Sequence, residues 1–353
     1  MALSATSVGT AFVRRRSPAG RAALLLLPGL AAACAFGGAP GAGPRVTVTP
    51  PRAVSPAPSA DGVLTLRVGI VGERGVRILD LPLEDYVLAV VRAELPSGVL
   101  ADPAAAGMLE VQAIVSRTFA IANLGRHRAE GFDVCGGTHC QVLRPPDAAR
   151  AAPDGAARAV AATRSLVIAH EGRAIQALFH AACGGHTASG ASVWGGSEPY
   201  LAAVPDSFCS RLPAQAWTFE ADGASLARAL ASSPAMDVGT GLARIDITER
   251  DVSGRVTRVA LTGSRTVSVR AEAFRGALRT AFGERSLRST RFTVAQDGRR
   301  FIFQGTGLGH GVGLCQAGAL ERILAGVSPA DVIAHYFPGT RVMPADGVGR
   351  PAP

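Results

Sequence analysis

The stretch from Asp102 to Gly125 constrains this chain more than any other. Asp102 is an N-capping residue type, Pro103 suits a first helical turn, and Gly125 suits a helix stop. Between them Met108, Val111, Val115, Phe119 and Ala122 recur at helical spacing, which predicts a helix with one face in the core. Gln112 and Thr118 fall near that stripe and need hydrogen-bond partners, and Arg117 flanks it. Polar groups beside an apolar stripe are most often structural ties, but the same position can line a cleft.

A second helix is expected just upstream. Val63–Ile70 and Val76–Leu79 read as short strands around a turn at Gly72–Gly75. Pro82 then suits a helix start, with Glu84 and Asp85 in a first turn where acids interact well with the dipole. Pro96 disfavours helical geometry at Leu95, so the helix should end near Glu94. There the negative end of the dipole and the apolar Val90–Val91 run both disfavour a charged carboxyl and raise its pKa. A carboxyl group held protonated is what a general acid needs. From spacing alone, a solvated helix-end glutamate is the simpler reading.

The first sixty residues read as export machinery. Arg14, Arg15, Arg16 and Arg21 precede Ala22–Leu27 and Leu30–Ala33, an apolar stretch interrupted at Pro28-Gly29 and too short to span a bilayer. Residues 1–33 are therefore expected to be a signal peptide. Cys34 follows three alanines, so lipidation of Cys34 as the first mature residue, giving a membrane tether, and ordinary secretion both stay open. Residues 34–60 are rich in Pro, Gly, Ala and Ser and read as an extended linker. The expected location is the periplasm or cell envelope. The chain has no lysine, and its formal charge of +9 includes the four leader arginines. The remaining excess favours an anionic partner such as a polycarboxylate glycan. No basic stripe interleaved with aromatics appears, which argues against nucleic acid.

Several blocks carry a family pattern. Leu81-Pro82-Leu83-Glu84-Asp85-Tyr86 leads to Ala93-Glu94-Leu95-Pro96, and Gln112 to Ala120 follows with Ser116-Arg117-Thr118 at its centre. Asp133 to Gln141 contains Thr138-His139-Cys140, and Phe179-His180 leads to Cys183-Gly184-Gly185-His186-Thr187. Val193-Trp194-Gly195-Gly196, Pro199-Tyr200-Leu201, the glycine-rich run Gly307 to Gly318 and His335-Tyr336-Phe337-Pro338-Gly339 complete the order. Together these resemble the stage II sporulation protein D (SpoIID/LytB) family. The resemblance covers most of the mature chain.

It implies an α+β catalytic domain over residues 61–342 with a substrate cleft. Chemistry-bearing residues thin out at about 214–293, which reads as a smaller inserted subdomain forming one cleft wall, and residues 343–353 read as a disordered tail. The resemblance also implies a lytic transglycosylase that cleaves MurNAc–GlcNAc bonds in glycan strands stripped of stem peptides by an amidase. Glu94 matches the family's catalytic glutamate and Arg117 its active-site arginine. Gln112, His180, His186, His310 and Gln316 are the further candidates for substrate contact. The chain departs from the family at Glu110, where a lysine is common. Hydrolytic glycosidases generally need two carboxylates. A lytic transglycosylase uses the substrate's own C6 hydroxyl as nucleophile, so one glutamate can serve as acid and then base, and no cofactor is required.

The cysteines leave alternatives. Cys135, His139 and Cys140 suit a tetrahedral zinc site, with His127 the nearest fourth ligand, as in some family members. A local Cys135–Cys140 disulfide is the rival reading. Cys183 and Cys209 are expected to form a disulfide bracketing the Trp194 loop, with Cys315 a small buried residue. The glycine-rich run is followed by no Lys-Ser/Thr, which excludes a Walker loop. Two rival functions remain: a non-catalytic wall-binding activator of an amidase, and a zinc hydrolase built on His180 and His186.

Overall fold

The central helix, Ala106–Ala122, is buried on almost every side, from Met108 through Ala120. It therefore behaves as a core helix rather than the one-sided helix its stripe suggested. Helices Leu83–Glu94, Gly155–Ala162 and Pro329–Tyr336 pack around it. Asp102 caps the short 3-10 turn Pro103–Ala105 that leads in, accepting the Ala104 N–H at 2.9 Å. The computed structural model describes residues 63–72, 75–144, 154–196, 198–210 and 216–349. The expected signal peptide, Cys34 and the linker lie outside the described residues. Among those described, no helix is long and apolar enough to cross a membrane.

The architecture is α+β. Strands Thr65–Gly72 and Gly75–Pro82 form the expected hairpin, in register from Thr65 opposite Pro82 to Gly72 opposite Gly75. Val134–Cys135 adds to its other edge in parallel, Val68 opposite Val134. This brings the cysteine block beside the hairpin that feeds helix Leu83–Glu94. Further along, Leu166–His170 turns back through Glu171 and Gly172, both with positive φ, into the short strand Arg173–Ala174. Ile175 still donates to the Ile168 carbonyl at 3.1 Å, but residues 176–178 leave the strand. The strand resumes only at Phe179–His180, which pairs in parallel with Leu314–Cys315.

A second apolar cluster gathers Trp217, Leu226, Val259, Leu261, Phe274, Phe301 and Phe303. Two three-stranded antiparallel sheets and helix Ala271–Phe282 enclose it. Strand Arg300–Gly305 lies in the middle of one sheet, between Phe292–Asp297 and Trp217–Asp222. The unit thus runs on to Gly305, past the expected boundary at 293. Leu308 packs against this core and against the larger one around the central helix.

Two expectations need correction here. Residues 343–349 are not a loose tail: Met343 and Pro344 complete a strand against Leu166–His170. Gly349 accepts the Ala174 N–H at 3.0 Å and donates to the Gly172 carbonyl at 2.8 Å. Arg117 is fully buried and acts as a tie rather than a cleft residue. Its Nε and Nη2 donate to Glu84 Oε1 and Oε2 at 2.9 and 2.7 Å, and Nη1 donates to the Leu166 carbonyl at 3.1 Å. The guanidinium fork is used up by a carboxylate and backbone carbonyls, so none of it faces ligand.

Removing one partner of a buried ion pair strands the other, at a cost of about 3–5 kcal/mol. Arg117→Met should lower unfolding stability by that amount in urea. The double variant Glu84→Met/Arg117→Met should recover a large part of it. Additive losses would mean that the pair is not coupled.

Candidate active site

Pro96 determines where the first helix ends. Leu95 is extended at φ −105° and ψ 141°, as a residue before proline prefers, which leaves Glu94 as the last helical residue. The Glu94 side chain borders a cleft of about 820 Å³. Its Oε1 accepts the Val142 N–H at 2.7 Å. Burial pushes its pKa up to about 7, and the Val142 hydrogen bond opposes this without cancelling it. Near neutrality the group is therefore divided between acid and base forms.

The loop that supplies Val142 begins at the cysteine block. The ligand atoms of His127, Cys135, His139 and Cys140 all lie within 4.8 Å of one another. Cys140 Sγ is 3.4 Å from His127 Nε2 and 3.8 Å from His139 Nδ1. On the far side of the His127 ring, Nδ1 meets Glu130 Oε1 at 2.8 Å. A carboxylate behind a histidine fixes the tautomer that presents Nε2 to a metal. Two sulfurs, two imidazoles and that outer carboxylate fit tetrahedral zinc. Both cysteines are free thiols, so the local disulfide is absent. His139 and Cys140 also line the cleft.

The opposite wall comes from Phe179–His180 and the glycine-rich loop. His180, His310 and Gln316 line the cleft. His180 Nδ1 faces the Val312 carbonyl at 3.2 Å, which leaves its buried Nε2 without a partner among the described residues. His310 Nδ1 accepts the Val312 N–H at 3.1 Å. Burial lowers both imidazole pKa values, His310 to about 3, so both are neutral at physiological pH. Positive φ at Gly307, Gly309, Gly311 and Gly313 lets this loop fold tightly. A Cβ at Gly309 would lie 2.9 Å from that of His180. Trp194, 47% exposed, stacks obliquely on His310 with ring centroids 5.2 Å apart.

Not every candidate reaches the cleft. Gln112 stands behind the wall, where its Oε1 accepts from Gln316 Nε2 at 3.2 Å. His186 is directed elsewhere, its Nδ1 2.8 Å from the Thr187 carbonyl, and its backbone pairs with Pro205. It joins His180 in no metal-ligand group among the described residues, so the two do not form the site expected of a zinc hydrolase built on them. Glu110 borders a separate cavity of about 160 Å³, so the change from lysine falls outside this cleft. Cys183 and Cys209 are free thiols rather than a disulfide. The Cys183 thiol instead donates to Asp206 Oδ2 at 3.3 Å, and Cys315 joins the same group.

The sequence reading named no residue of the smaller subdomain as a cleft residue. Glu272, Arg275 and Arg279 reach the cleft from helix Ala271–Phe282 of the second unit. Arg275 pairs with Glu272 at 3.0 Å, and Arg279 pairs with Glu284. The Nε atoms of both arginines remain buried without an acceptor among the described residues. No motif marks these residues. Their only signal was helical spacing of Arg275 and Arg279 on an amphipathic helix, which reads equally well as a solvated face.

Residues 73–170 match the family model described as Stage II sporulation protein, SpoIID. Residues 214–313 match a domain of unknown function, DUF8618. Stage II sporulation protein D of Bacillus amyloliquefaciens is 27% identical over 281 residues, 76% of each chain. The protein of that name from Bacillus subtilis is 25% identical over 311 residues, 83% of this chain and 85% of its own. The amidase enhancer of Bacillus subtilis is 26% identical over 277 residues, covering 66% of this chain but 37% of its own length.

A carboxyl group whose folded pKa is raised makes folding less favourable as pH rises from the unfolded value to the folded one. For Glu94 that window runs from about 4.5 to about 7. Glu94→Gln carries no charge and keeps an acceptor for Val142. It should unfold at a higher temperature than the unmodified chain at about pH 8, and at the same temperature near pH 4. Equal melting at both pH values would show that the carboxyl is not perturbed.

Proposed function

We propose, from the stage II sporulation protein domain that this chain carries, that it is an exported cell-wall enzyme. It acts as a lytic transglycosylase on peptidoglycan glycan strands. The observation that carries this reading is Glu94, a carboxyl group poised near neutrality on a cleft with room for sugars, which Glu198 and Glu272 also border. In the acid form Glu94 donates its proton to the glycosidic oxygen between MurNAc and GlcNAc as the C1–O bond breaks. The resulting carboxylate then takes the proton of the MurNAc C6 hydroxyl, whose oxygen closes on C1. The product ends in 1,6-anhydroMurNAc, no water is consumed, and Glu94 is again protonated.

The surrounding groups suit that chemistry. Val142 holds the carboxyl in place through Oε1. Neutral His180 and His310 offer hydrogen bonds to sugar hydroxyls without competing as acids. Trp194 presents an exposed ring face of the kind that packs on sugars. Arg275 and Arg279 bring guanidinium donors to the cleft, for which the lactyl carboxylate of MurNAc would compete with Glu272 and Glu284. Zinc bound at His127, Cys135, His139 and Cys140 would anchor the loop that ends at Val142. Export by the N-terminal leader and removal of stem peptides by a partner amidase belong to the same proposal.

A second reading is a binding protein that stimulates an amidase, favoured by the alignment with the amidase enhancer. One experiment separates the two. Stem-peptide-free glycan strands are digested with the chain and with Glu94→Gln, and the products are weighed by mass spectrometry. The enzyme yields 1,6-anhydroMurNAc ends, and Glu94→Gln slows their formation by at least about 10²-fold. Products one water heavier would indicate a hydrolase. Bound but uncut strands, with amidase stimulation unchanged in Glu94→Gln, would establish the activator.

A further inference from the structure

Behind the histidine wall lies a group that the cleft chemistry does not use. Cys183, Asp206, Cys209 and Cys315 are all buried, and their ligand atoms lie within 4.8 Å of one another. They come from three separate segments: the loop after Phe179–His180, the helical turn Ser207–Ser210 with the residue before it, and the entry to helix Gln316–Leu324. Asp206 and Cys209 are three residues apart, a spacing in the range that pairs metal ligands on one turn.

We infer that these four residues form a second metal site, a Cys₃Asp centre for zinc, distinct from the one beside Glu94. Its surroundings are those of a centre that holds negative charge. Cys315 Sγ accepts the N–H groups of Cys183 at 3.2 Å and Gly318 at 3.4 Å, and Cys183 Sγ accepts that of Gly185 at 3.2 Å. Backbone donors of this kind stabilise the sulfurs once a cation has drawn them to thiolate. Asp206 is held from outside: Tyr336 Oη donates to Oδ2 at 2.8 Å, and Arg322 reaches Oδ1 at 3.5 Å. That outer shell orients the carboxylate and offsets part of the excess charge of four anionic ligands around a dication. On binding, the thiols release their protons to solvent and the sulfurs take up the metal.

A disulfide accounts for less of this. It would consume two sulfurs and leave a third thiol and a buried carboxylate beside it. The metal centre uses all four. It would also tie His180, three residues before Cys183, and Gln316, directly after Cys315, to one rigid point behind the cleft.

The test is zinc content of the full chain, purified anaerobically and measured by elemental mass spectrometry. In Cys135→Ser/Cys140→Ser, which disables the first cluster, one zinc per chain should remain. Adding Cys209→Ser should remove it, and cobalt substituted at that position should lose its thiolate charge-transfer band. Should the triple variant fail to fold, Asp206→Asn in the same background should weaken zinc at least tenfold in competition with a chelator. A zinc-free Cys135→Ser/Cys140→Ser protein would overturn the site, whether its thiols titrate as free or its intact mass is two hydrogens light from a disulfide. Undiminished zinc after Cys209→Ser and Asp206→Asn would also overturn it.

Discussion

The buried pair of Arg117 and Glu84 is the contact on which the cleft geometry depends. Glu84 sits in the first turn of helix Leu83–Glu94, and Arg117 lies in the middle of the central helix. The bidentate contact therefore fixes the start of one helix on the core, while the Leu166 carbonyl ties the same guanidinium to a strand. Ten residues further on, about 15 Å along the helix axis, Glu94 inherits that placement. A rotation at the clamp would move the carboxyl away from Val142. In this chain the arginine serves the cleft through the backbone it holds, not through contact with the ligand.

At the other end of that helix the balance of forces is close. Burial favours the neutral carboxyl, and one strong backbone donor favours the ionised form. With two or three donors the group would be a permanent carboxylate, as happens when several N–H groups converge on one acid. With none, burial alone would hold it further towards the acid form. A single N–H from Val142 leaves both forms accessible, which a group that must give and then take a proton requires. The helix end contributes in the same direction as burial, since its carbonyls disfavour a negative charge.

The parts legible in sequence were those with local causes. Pro82 and Pro96 set the limits of the first helix through φ restriction and the loss of a donor, so Glu94 could be placed at its end from the chain alone. The hairpin at Gly72–Gly75 followed from its apolar runs and turn residues. Arg117 was misplaced because sequence gives its position on a helix but not the partner. An arginine flanking an apolar stripe is equally consistent with a cleft and with a buried carboxylate. Cys315 was taken as a small apolar residue because its neighbours Cys183 and Asp206 lie more than a hundred residues away. Arg275 and Arg279 were invisible for the same reason: only the docking of the second unit turns their helix face toward the cleft.

That docking gives the cleft two kinds of wall. In two of the walls, short loops are pinned where sulfur converges with imidazole or carboxylate: Val142 lies two residues beyond Cys140, and Gln316 next to Cys315. Such pinning suits positions that must be held within fractions of an ångström, because a loop alone would let them drift. On the other side, the arginines stand on a regular helix that already buries Phe274 and Leu278 in its own core. Burial lowers Arg279 to about 10, still cationic at neutral pH. Neutral histidines face a charged wall across the cleft. Between them stands Glu94, a cleft group whose protonation changes near neutrality.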